Sequence, residues 1–384
     1  MSGPYINSRV RNLKPSGIRR FFDLMQNTKD CISLGIGEPD FQTPWHVRDT
    51  AIYTLERGFT KYSPNAGLMS LRRAVSRYTE RRFGLSYAYD REVLITVGGS
   101  EAIDLAVRTL VEPGDEVIIP EPSFVCYVPI VTIAGASPVI IETKEENCFR
   151  LTAAELRAAI TSKTRALILP YPCNPTGGIM ESRDLEALAA VLREHPNIMI
   201  ISDEIYAELT FGLEHTSMAS LLRDRTVFVG GLSKSHSMTG WRMGYVCAHP
   251  EIIGQMTKIH QFAVMCAPTT SQYAAIEALD NGDGDVARMR DEYDHRRRFF
   301  VEGLRTLGLK CFEPRGAFYA FPNITGHGLS SADFCERLLV EHRVAVIPGA
   351  AFGDSGEGFV RCCYASSSSE LQTALERIGR FLDK

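Results

Sequence analysis

The chain lacks several features that would point to other classes of protein. It has no uninterrupted run of about 18 apolar residues, so no segment is predicted to cross a membrane. It also lacks a basic excess, because 42 Lys and Arg residues stand against 46 Asp and Glu residues and give a net charge of -4. Without a basic surface field, a nucleic-acid-binding role is not expected.

The ten cysteines lack the spacing of a disulfide framework or a zinc site. No Cys-x-x-Cys pair is present, and only Cys362 and Cys363 are adjacent. In a chain of 384 residues with 45% hydrophobic content, cysteines scattered in apolar surroundings are expected to be reduced thiols of a cytoplasmic protein. Cys173 is interpreted in the same way, as a small apolar packing residue.

A lysine-containing loop is the strongest feature of the sequence. The apolar run Thr226 to Val229 predicts a buried strand, and a polar, glycine-flanked loop with Lys234 follows it. A loop lysine is ordinarily a solvated charge. Here Ser233 precedes it and Arg242 follows eight residues later, and a hydroxyl with a guanidinium fork suits a phosphate. A lysine beside a phosphate site is what pyridoxal 5'-phosphate (PLP) requires.

A second anion site is predicted where a strand meets a helix. The β-rich run Glu92 to Val97 leads into Gly98, Gly99 and Ser100, and helical spacing continues to Leu110. With Ser100 as the N-cap, free backbone N–H groups and the positive helix end would face one point. Alone, this pattern is also typical of an ordinary turn, but together with Ser233 and Arg242 it predicts a second wall of a phosphate site.

Two charged residues lie where a strand is predicted. Asp203 follows the apolar run Ile198 to Ser202, and a carboxylate at such a strand end can keep a pyridine nitrogen protonated. The alternative interpretation of Asp203 is a surface carboxylate or a helix N-cap. Arg361 lies within the apolar segment Gly358 to Cys362, where an unpaired charge would be very costly. Arg361 is therefore expected to meet an anion.

These motifs resemble a known family. The pattern Ser233-Lys234, Met238 and Gly240-Trp241-Arg242 is similar to the cofactor-lysine signature of class I aminotransferases. Further motifs of that family occur in order along essentially the whole chain. The resemblance implies an α/β, fold-type I PLP-dependent transferase and a homodimer with active sites at the subunit interface. It also identifies the basic N-terminal segment, which is free of acidic residues, as part of the fold rather than as a transit peptide.

The resemblance assigns a role to each candidate cofactor-binding residue. Lys234 would bind PLP covalently and serve as general base and acid, Phe124 would stack on the pyridine ring, and Asp203 would face its nitrogen. Asn174 and Tyr206 would share the 3-oxygen. The phosphate would be held by Gly99, Ser100, Ser233 and Arg242, and by Tyr62 reaching across from the other subunit.

The resemblance also implies where the substrate binds. Gly37, in the segment Gly35 to Phe41, would bring its backbone near the substrate carboxylate, and Arg361 would grip that carboxylate in a two-pronged pair. Ile18 and Tyr319 would line the side-chain pocket together with Phe124. No second arginine is identified for a distal carboxylate, so an aromatic amino acid is the expected donor.

The predicted fold follows from seven apolar runs that alternate with helical stretches between about residues 90 and 250. This alternation predicts a mostly parallel seven-stranded sheet with helices on both faces. We expect a large PLP-binding domain over 46–285 and a smaller α+β domain from 1–45 and 286–384. A short helix from Ile18 to Gln26 and strands over 316–321 and 344–347 are predicted as well.

Several alternatives remain at this stage. Aspartate-type and N-acetyl-diaminopimelate aminotransferases share the motifs above, and β-lyases and cyclopropane-forming synthases use the same scaffold. A dinucleotide-dependent dehydrogenase is disfavoured because Gly35-x-Gly37 is interrupted by Pro39 and lacks a third glycine. A transcription regulator is disfavoured because the chain leaves no room for a DNA-binding domain.

Overall fold

The computed structural model of the chain describes residues 5–13, 15, 17–18, 28 and 30–383. The predicted helix Ile18 to Gln26 lies, apart from Ile18, outside the described residues. In chain order, the strands are β1 Ile32–Ser33, β2 Val93–Val97, β3 Glu116–Glu121, β4 Ser137–Glu142, β5 Thr164–Leu169, β6 Met199–Asp203, β7 Thr226–Gly231, β8 Met243–Cys247, β9 Tyr319–Ala320, β10 Val344–Ala345, β11 Ile347–Pro348 and β12 Val360–Cys363.

The described helices alternate with these strands through most of the chain. They are α1 Ser8–Arg11, α2 Trp45–Glu56, α3 Met69–Phe83, α4 Gly98–Leu110, α5 Tyr127–Ala134, α6 Ala153–Ala159, α7 Ser182–Glu194, α8 Pro250–Ala263, α9 Thr269–Asn281, α10 Asp283–Thr306, α11 Ser331–His342 and α12 Ser368–Leu382. None of the helices within the described ranges is long and apolar enough to cross a membrane.

The central sheet has seven strands in the order β2-β8-β7-β6-β5-β3-β4. All neighbours run parallel except β8, which is antiparallel to both β2 and β7. The predicted seven-stranded, mostly parallel sheet is thus confirmed. Its middle strands are continuous apolar runs because both of their faces are covered.

Helices cover the two faces of this sheet. Phe228 packs on one face with Ala74 of α3 and Ala275 of α9, while Val227 and Val229 pack on the other with residues of α4. This alternation follows from the strand period of two, which sends neighbouring side chains to opposite faces. The predicted three-layer α/β architecture is confirmed.

The remaining strands form two smaller sheets. Strand β1 pairs in parallel with β10, and β12 pairs in an antiparallel manner with β11 and β9. Helices α10, α11 and α12 contribute to a separate core around these strands. The described residues before 45 and after 286 thus contribute strands outside the central sheet, while the exact domain boundaries stay a prediction.

Two predicted strands are shorter or more divided than expected. The segment 316–321 forms a ladder only at Tyr319 and Ala320. The segment 344–347 is not one strand, because Val344 and Ala345 pair with β1 whereas Ile347 and Pro348 pair with β12. The chain changes sheets at Val346, and an apolar run does not reveal which partner each residue meets.

The sheet brings the predicted site residues to one edge. Strands β2, β3, β5, β6 and β7 point in the same direction, so their carboxyl ends lie together. Ligands of open α/β sheets bind in loops outside this edge. Ser100, Phe124, Asn174, Asp203 and Lys234 lie at or just after these five strand ends.

Candidate active site

A cavity of about 330 Å³ lies at the carboxyl edge of the central sheet. Every predicted site residue except Tyr62 lines it: Ile18, Gly37, Gly99, Ser100, Phe124, Asn174, Asp203, Tyr206, Ser233, Lys234, Arg242, Tyr319 and Arg361. The structure therefore brings together residues that are far apart in the chain, from Ile18 to Arg361.

Lys234 lies in the turn after β7 and extends into the cavity. Its Nζ donates a hydrogen bond of 2.6 Å to the carbonyl oxygen of Gly37. Burial disfavours the ammonium form and lowers the pKa of Lys234 to about 8, although the nearby Glu38 carboxylate opposes this shift. A lysine with this pKa supplies a neutral amine at mildly alkaline pH, as a nucleophile or a general base must.

The first turn of α4 forms a cradle with Arg242. A side chain at Gly98, which has φ of +78°, would collide with the Arg242 guanidinium. The Arg242 guanidinium donates a hydrogen bond of 3.1 Å to the carbonyl oxygen of Thr239. It lies next to the first turn of α4, where the backbone N–H groups have no intrahelical partner. Ser100 and Ser233 line the same part of the cavity. Positive charge, hydroxyls and helix N–H groups together suit a phosphate.

The predicted position of Ser100 in the helix is wrong in one detail. The helix begins at Gly98 with Val97 as its N-cap, so Ser100 lies inside the first turn instead of capping it. The two glycines favoured a turn before the helix, whereas the structure includes them in its first turn. The Ser100 N–H remains in the first turn, where backbone donors have no intrahelical partner.

Asp203 ends β6 and is buried beneath the cavity. Tyr127 donates its phenolic O–H to Oδ2 at 2.6 Å, and the backbone N–H of Ile205 donates to Oδ1 at 3.3 Å. Burial raises the pKa of Asp203, while these two hydrogen bonds act in the opposite direction. A buried carboxylate with neutral donors is suited to a cationic ligand group such as a protonated pyridine.

Arg361 is buried on β12, as predicted. It donates to Asn174 Oδ1 at 2.8 Å and to the Gly35 carbonyl at 2.6 Å, while its Nε–H has no hydrogen-bond partner. Its guanidinium carbon lies 4.5 Å from the ring centroid of Tyr319 and 4.8 Å from that of Phe352. These described partners are neutral, so a carboxylate in the cavity would complete the pairing.

Two tyrosines close the cavity beside Lys234. The hydroxyls of Tyr206 and Tyr319 are hydrogen-bonded at 2.7 Å. The Tyr319 hydroxyl also lies where a side chain at Gly37 would be, so only glycine fits at position 37. Tyr319 was predicted to line the side-chain pocket. Its ring also contacts the Arg361 guanidinium and so restricts the position of that group.

Sequence reasoning missed several residues of the site. Tyr127, Phe352, Ile36 and Ile205 either line the cavity or contact its charged residues. Ile36 lies within a segment that was already singled out and could have been included. Tyr127 gave no comparable signal, because a tyrosine at the start of an apolar helix is typical of core packing.

Three other residues lie away from the cavity. Tyr62 is 81% exposed and does not line the cavity of its own chain. Glu204, which had no predicted role, accepts hydrogen bonds from Ser202 and His215 at 2.7 and 2.6 Å behind the sheet edge. Cys173 is buried with its Sγ near a backbone carbonyl, which agrees with a packing residue.

The arrangement fits PLP on its own chemistry. The cradle at Gly98 suits the phosphate, Phe124 offers an aromatic face, and Asp203 offers a buried carboxylate for the ring nitrogen. Lys234 supplies the amine that the aldehyde needs. Arg361 lines the cavity and retains terminal N–H donors beyond those used by Asn174 and Gly35, which suits a substrate carboxylate.

Comparison with known proteins gives one consistent result. The sequence profile of the family "Aminotransferase class I and II" matches residues 29–378. The protein YugH of Bacillus subtilis (strain 168), which has a provisional aminotransferase name without a stated substrate, is 50% identical over 382 residues and 99% of each chain. An aspartate aminotransferase of Pyrococcus abyssi (strain GE5 / Orsay) is 42% identical over 382 residues and 98% of each chain.

A solved structure shows the same similarity in three dimensions. The crystal structure of an aromatic aminotransferase from Pyrococcus horikoshii OT3 superposes with a TM-score of 0.90 at 43% sequence identity. The match covers 94% of this chain and 98% of the other. The names of these similar proteins differ in substrate, so similarity supports the reaction type more firmly than the identity of the amino donor.

The lowered pKa of Lys234 predicts how the apoprotein reacts with PLP. Because burial disfavours the ammonium ion, the rate of covalent PLP capture should rise with pH and level off above a midpoint of about 8. Stopped-flow absorbance at a series of pH values measures this rate, and Lys234→Met, which lacks the amine, should show no covalent capture. A rate that keeps rising to the ordinary lysine value of 10.5 would contradict the burial effect.

Proposed function

Because the chain belongs to the class I and II aminotransferases, which use PLP, we propose that it moves an amino group from an aromatic L-amino acid to a 2-oxo acid such as 2-oxoglutarate. The observation that carries this proposal is the combination in one cavity of Lys234, Asp203 and Arg361, each held by neutral partners. The proposed donor and the residue roles go beyond the family assignment.

When bound, PLP supplies an aldehyde that links covalently to an amine and a pyridinium ring that draws electrons from the substrate. Asp203 would keep the ring nitrogen protonated, and Phe124 would hold the ring by a flat apolar contact. Arg242, Ser100 and Ser233 would neutralise and hydrogen-bond the phosphate. Tyr206 and Asn174, which line the cavity, would contact the 3-oxygen.

Arg361 would fix the substrate by its α-carboxylate. A guanidinium has five N–H donors, of which Asn174 and the Gly35 carbonyl take two in the structure. The remaining N–H donors of the two terminal nitrogens can form the two-pronged pair with a carboxylate. The rings of Tyr319 and Phe352 restrict the guanidinium, so the carboxylate would be held in one orientation.

Lys234 would then move the proton. Once the substrate amine has displaced it, the freed Nζ, whose pKa burial lowers to about 8, would be present partly as the neutral amine and could take the proton from the substrate Cα. Lys234 would then deliver that proton to the carbon that carried the PLP aldehyde, and the opposite half-reaction would use the same transfers in reverse. Because the first 2-oxo acid leaves before the second one binds, while the amino group stays in the site, the two half-reactions predict ping-pong kinetics.

The cavity wall supports an apolar substrate side chain. Ile18, Ile36, Phe124 and Ile205 line it, and the cations that line it are Lys234, Arg242 and Arg361. Each of these three cations already has a proposed role. A distal carboxylate, as in aspartate, would therefore lack a partner among the described lining residues, and an unpaired buried charge is costly.

A panel of donors tests the proposal. With 2-oxoglutarate as acceptor, kcat/KM for phenylalanine and tyrosine should exceed that for aspartate at least about tenfold, because a distal carboxylate is left unpaired. The panel should also include alanine and N-acetyl-LL-diaminopimelate, and coupled assay of the oxo-acid product gives the rates. Arg361→Gln is the control, since it should lower kcat/KM for every donor by a similar factor.

Other outcomes of the panel would contradict the aromatic assignment. Preference for aspartate would show that the pocket contains a partner for the distal carboxylate. Preference for the N-acetylated donor would show that the pocket binds the acetamide group. Preference for alanine would show that the apolar cavity is too small for a ring. Pyruvate and ammonia from cystathionine, without amino transfer, would identify a β-lyase on the same scaffold.

The exposed surface around Tyr62 supports a homodimer. Tyr62 is 81% exposed, and Phe262 and Met265 nearby are 86% and 46% exposed. Asn65 donates to the Met265 carbonyl at 2.8 Å, which joins these two segments into one surface. Exposed apolar side chains in such a group are typical of an interface. We propose that a second copy covers it and that Tyr62 contacts the partner's phosphate site.

A complementation experiment tests this dimer. Tyr62→Ala and Lys234→Ala should each have little activity, but a mixed dimer regains one complete site, with Lys234 from one chain and Tyr62 from the other. Random reassociation should then restore about a quarter of wild-type activity, because half of the dimers are mixed and half of their sites are complete. If mixed dimers are confirmed but activity is not restored, the shared site is contradicted. Full activity of Tyr62→Ala alone would contradict it as well.

The cysteines are consistent with the proposed cytoplasmic location. All ten are free thiols in the structure, and Cys362 and Cys363 are buried without a disulfide. Reduced, buried cysteines are typical of proteins from reducing compartments.

A further inference from the structure

Tyr127 makes a buried contact that the reaction scheme above does not use. It is the first residue of α5 and is 2% exposed. Its hydroxyl donates to Asp203 Oδ2 at 2.6 Å, the shorter of the two hydrogen bonds that this carboxylate accepts. The residue also lines the cavity, so the contact lies at the wall of the site proposed for PLP.

The hydroxyl affects the charge of Asp203. Burial raises the pKa of Asp203, and the Tyr127 hydrogen bond is the largest of the effects that lower it, ahead of the Ile205 N–H. A donor to the ionised form stabilises the charged carboxylate. Burial also raises the pKa of Tyr127 well above its usual value, so the phenol stays protonated and remains a donor.

The geometry also restricts the direction of the carboxylate. Tyr127 holds Oδ2 from α5, and the Ile205 backbone holds Oδ1 from the loop after β6, so the two oxygens are fixed from different elements. The Tyr127 ring packs edge-on against Phe124 with centroids 5.9 Å apart. The side chain thus contacts both the proposed ring-stacking residue and the proposed ring-nitrogen partner.

We propose that Tyr127 is a positioning residue that keeps Asp203 ionised and aims it at the ring nitrogen of PLP. This inference rests on the proposed role of Asp203. Its effect is confined to the ring nitrogen, because the hydroxyl acts through Asp203. Loss of the hydroxyl should therefore weaken binding of PLP but not of an analogue in which the ring nitrogen is replaced by carbon.

Equilibrium binding of these two ligands to the apoprotein provides the test. The variant Tyr127→Phe removes the hydroxyl and keeps the ring that contacts Phe124. We expect it to weaken PLP binding about tenfold, as loss of a hydrogen bond to a charged group does, with affinity for the carbon analogue changed less than about twofold. Absorbance titration measures both dissociation constants without turnover.

Two further variants separate positioning from packing. Tyr171→Phe removes another buried hydroxyl, which donates to the Phe149 carbonyl at 2.8 Å away from the cavity, and should leave both affinities unchanged. In an Asp203→Asn background, Tyr127→Phe should have little additional effect on PLP affinity. A full additional effect in that background would overturn the inference, since Tyr127 would then act independently of Asp203.

The outcomes distinguish the two levels of the proposal. If wild type prefers PLP over the carbon analogue but Tyr127→Phe weakens both ligands equally, the Tyr127 role is overturned and that of Asp203 stands. If wild type binds both ligands equally, the Asp203 assignment fails, and the inference that depends on it fails with it.

Discussion

The site depends on three charged residues, Asp203 and Arg361 buried and Lys234 half-buried, whose hydrogen-bond partners among the described residues are neutral. Lys234 donates a hydrogen bond to a backbone carbonyl, and Asp203 accepts hydrogen bonds from a phenol and a backbone N–H. Arg361 donates hydrogen bonds to a side-chain amide oxygen and a backbone carbonyl. Charges removed from water without a counter-ion are costly. Such an arrangement is reasonable when a cofactor and a substrate carry the matching groups, as PLP and an amino acid do.

The central sheet and the small sheet that contains β12 supply different charged residues of the site. Parallel strands end at one edge, which places Asp203 and Lys234 within one cavity through β6 and β7. Arg361 comes instead from β12, in a small sheet outside the central one. The residues proposed to hold the phosphate and the ring thus belong mainly to the large sheet, while the proposed carboxylate grip comes from the other part of the chain.

Much of this could be predicted from the sequence, because the signals were local. The lysine loop followed a clear apolar strand, and six of the seven strands of the central sheet are mostly buried runs, whereas the edge strand β4 is only partly buried. Residues whose role depends on partners far away in the sequence were harder to predict. Tyr127 meets Asp203 only through the fold, and an apolar run cannot show that the chain changes sheets at Val346. Tyr62 lies outside the cavity of its own chain, so its role depends on a second copy.

The central claim is that Lys234 is the residue that carries the cofactor. Borohydride reduction of the PLP-loaded protein makes the covalent link permanent, and peptide mapping by mass spectrometry locates it. The account predicts that the phosphopyridoxyl group is found on Lys234, in stoichiometric amount, and is displaced when an amino acid is added before reduction. Stoichiometric labelling of a different lysine in the active protein would contradict the account.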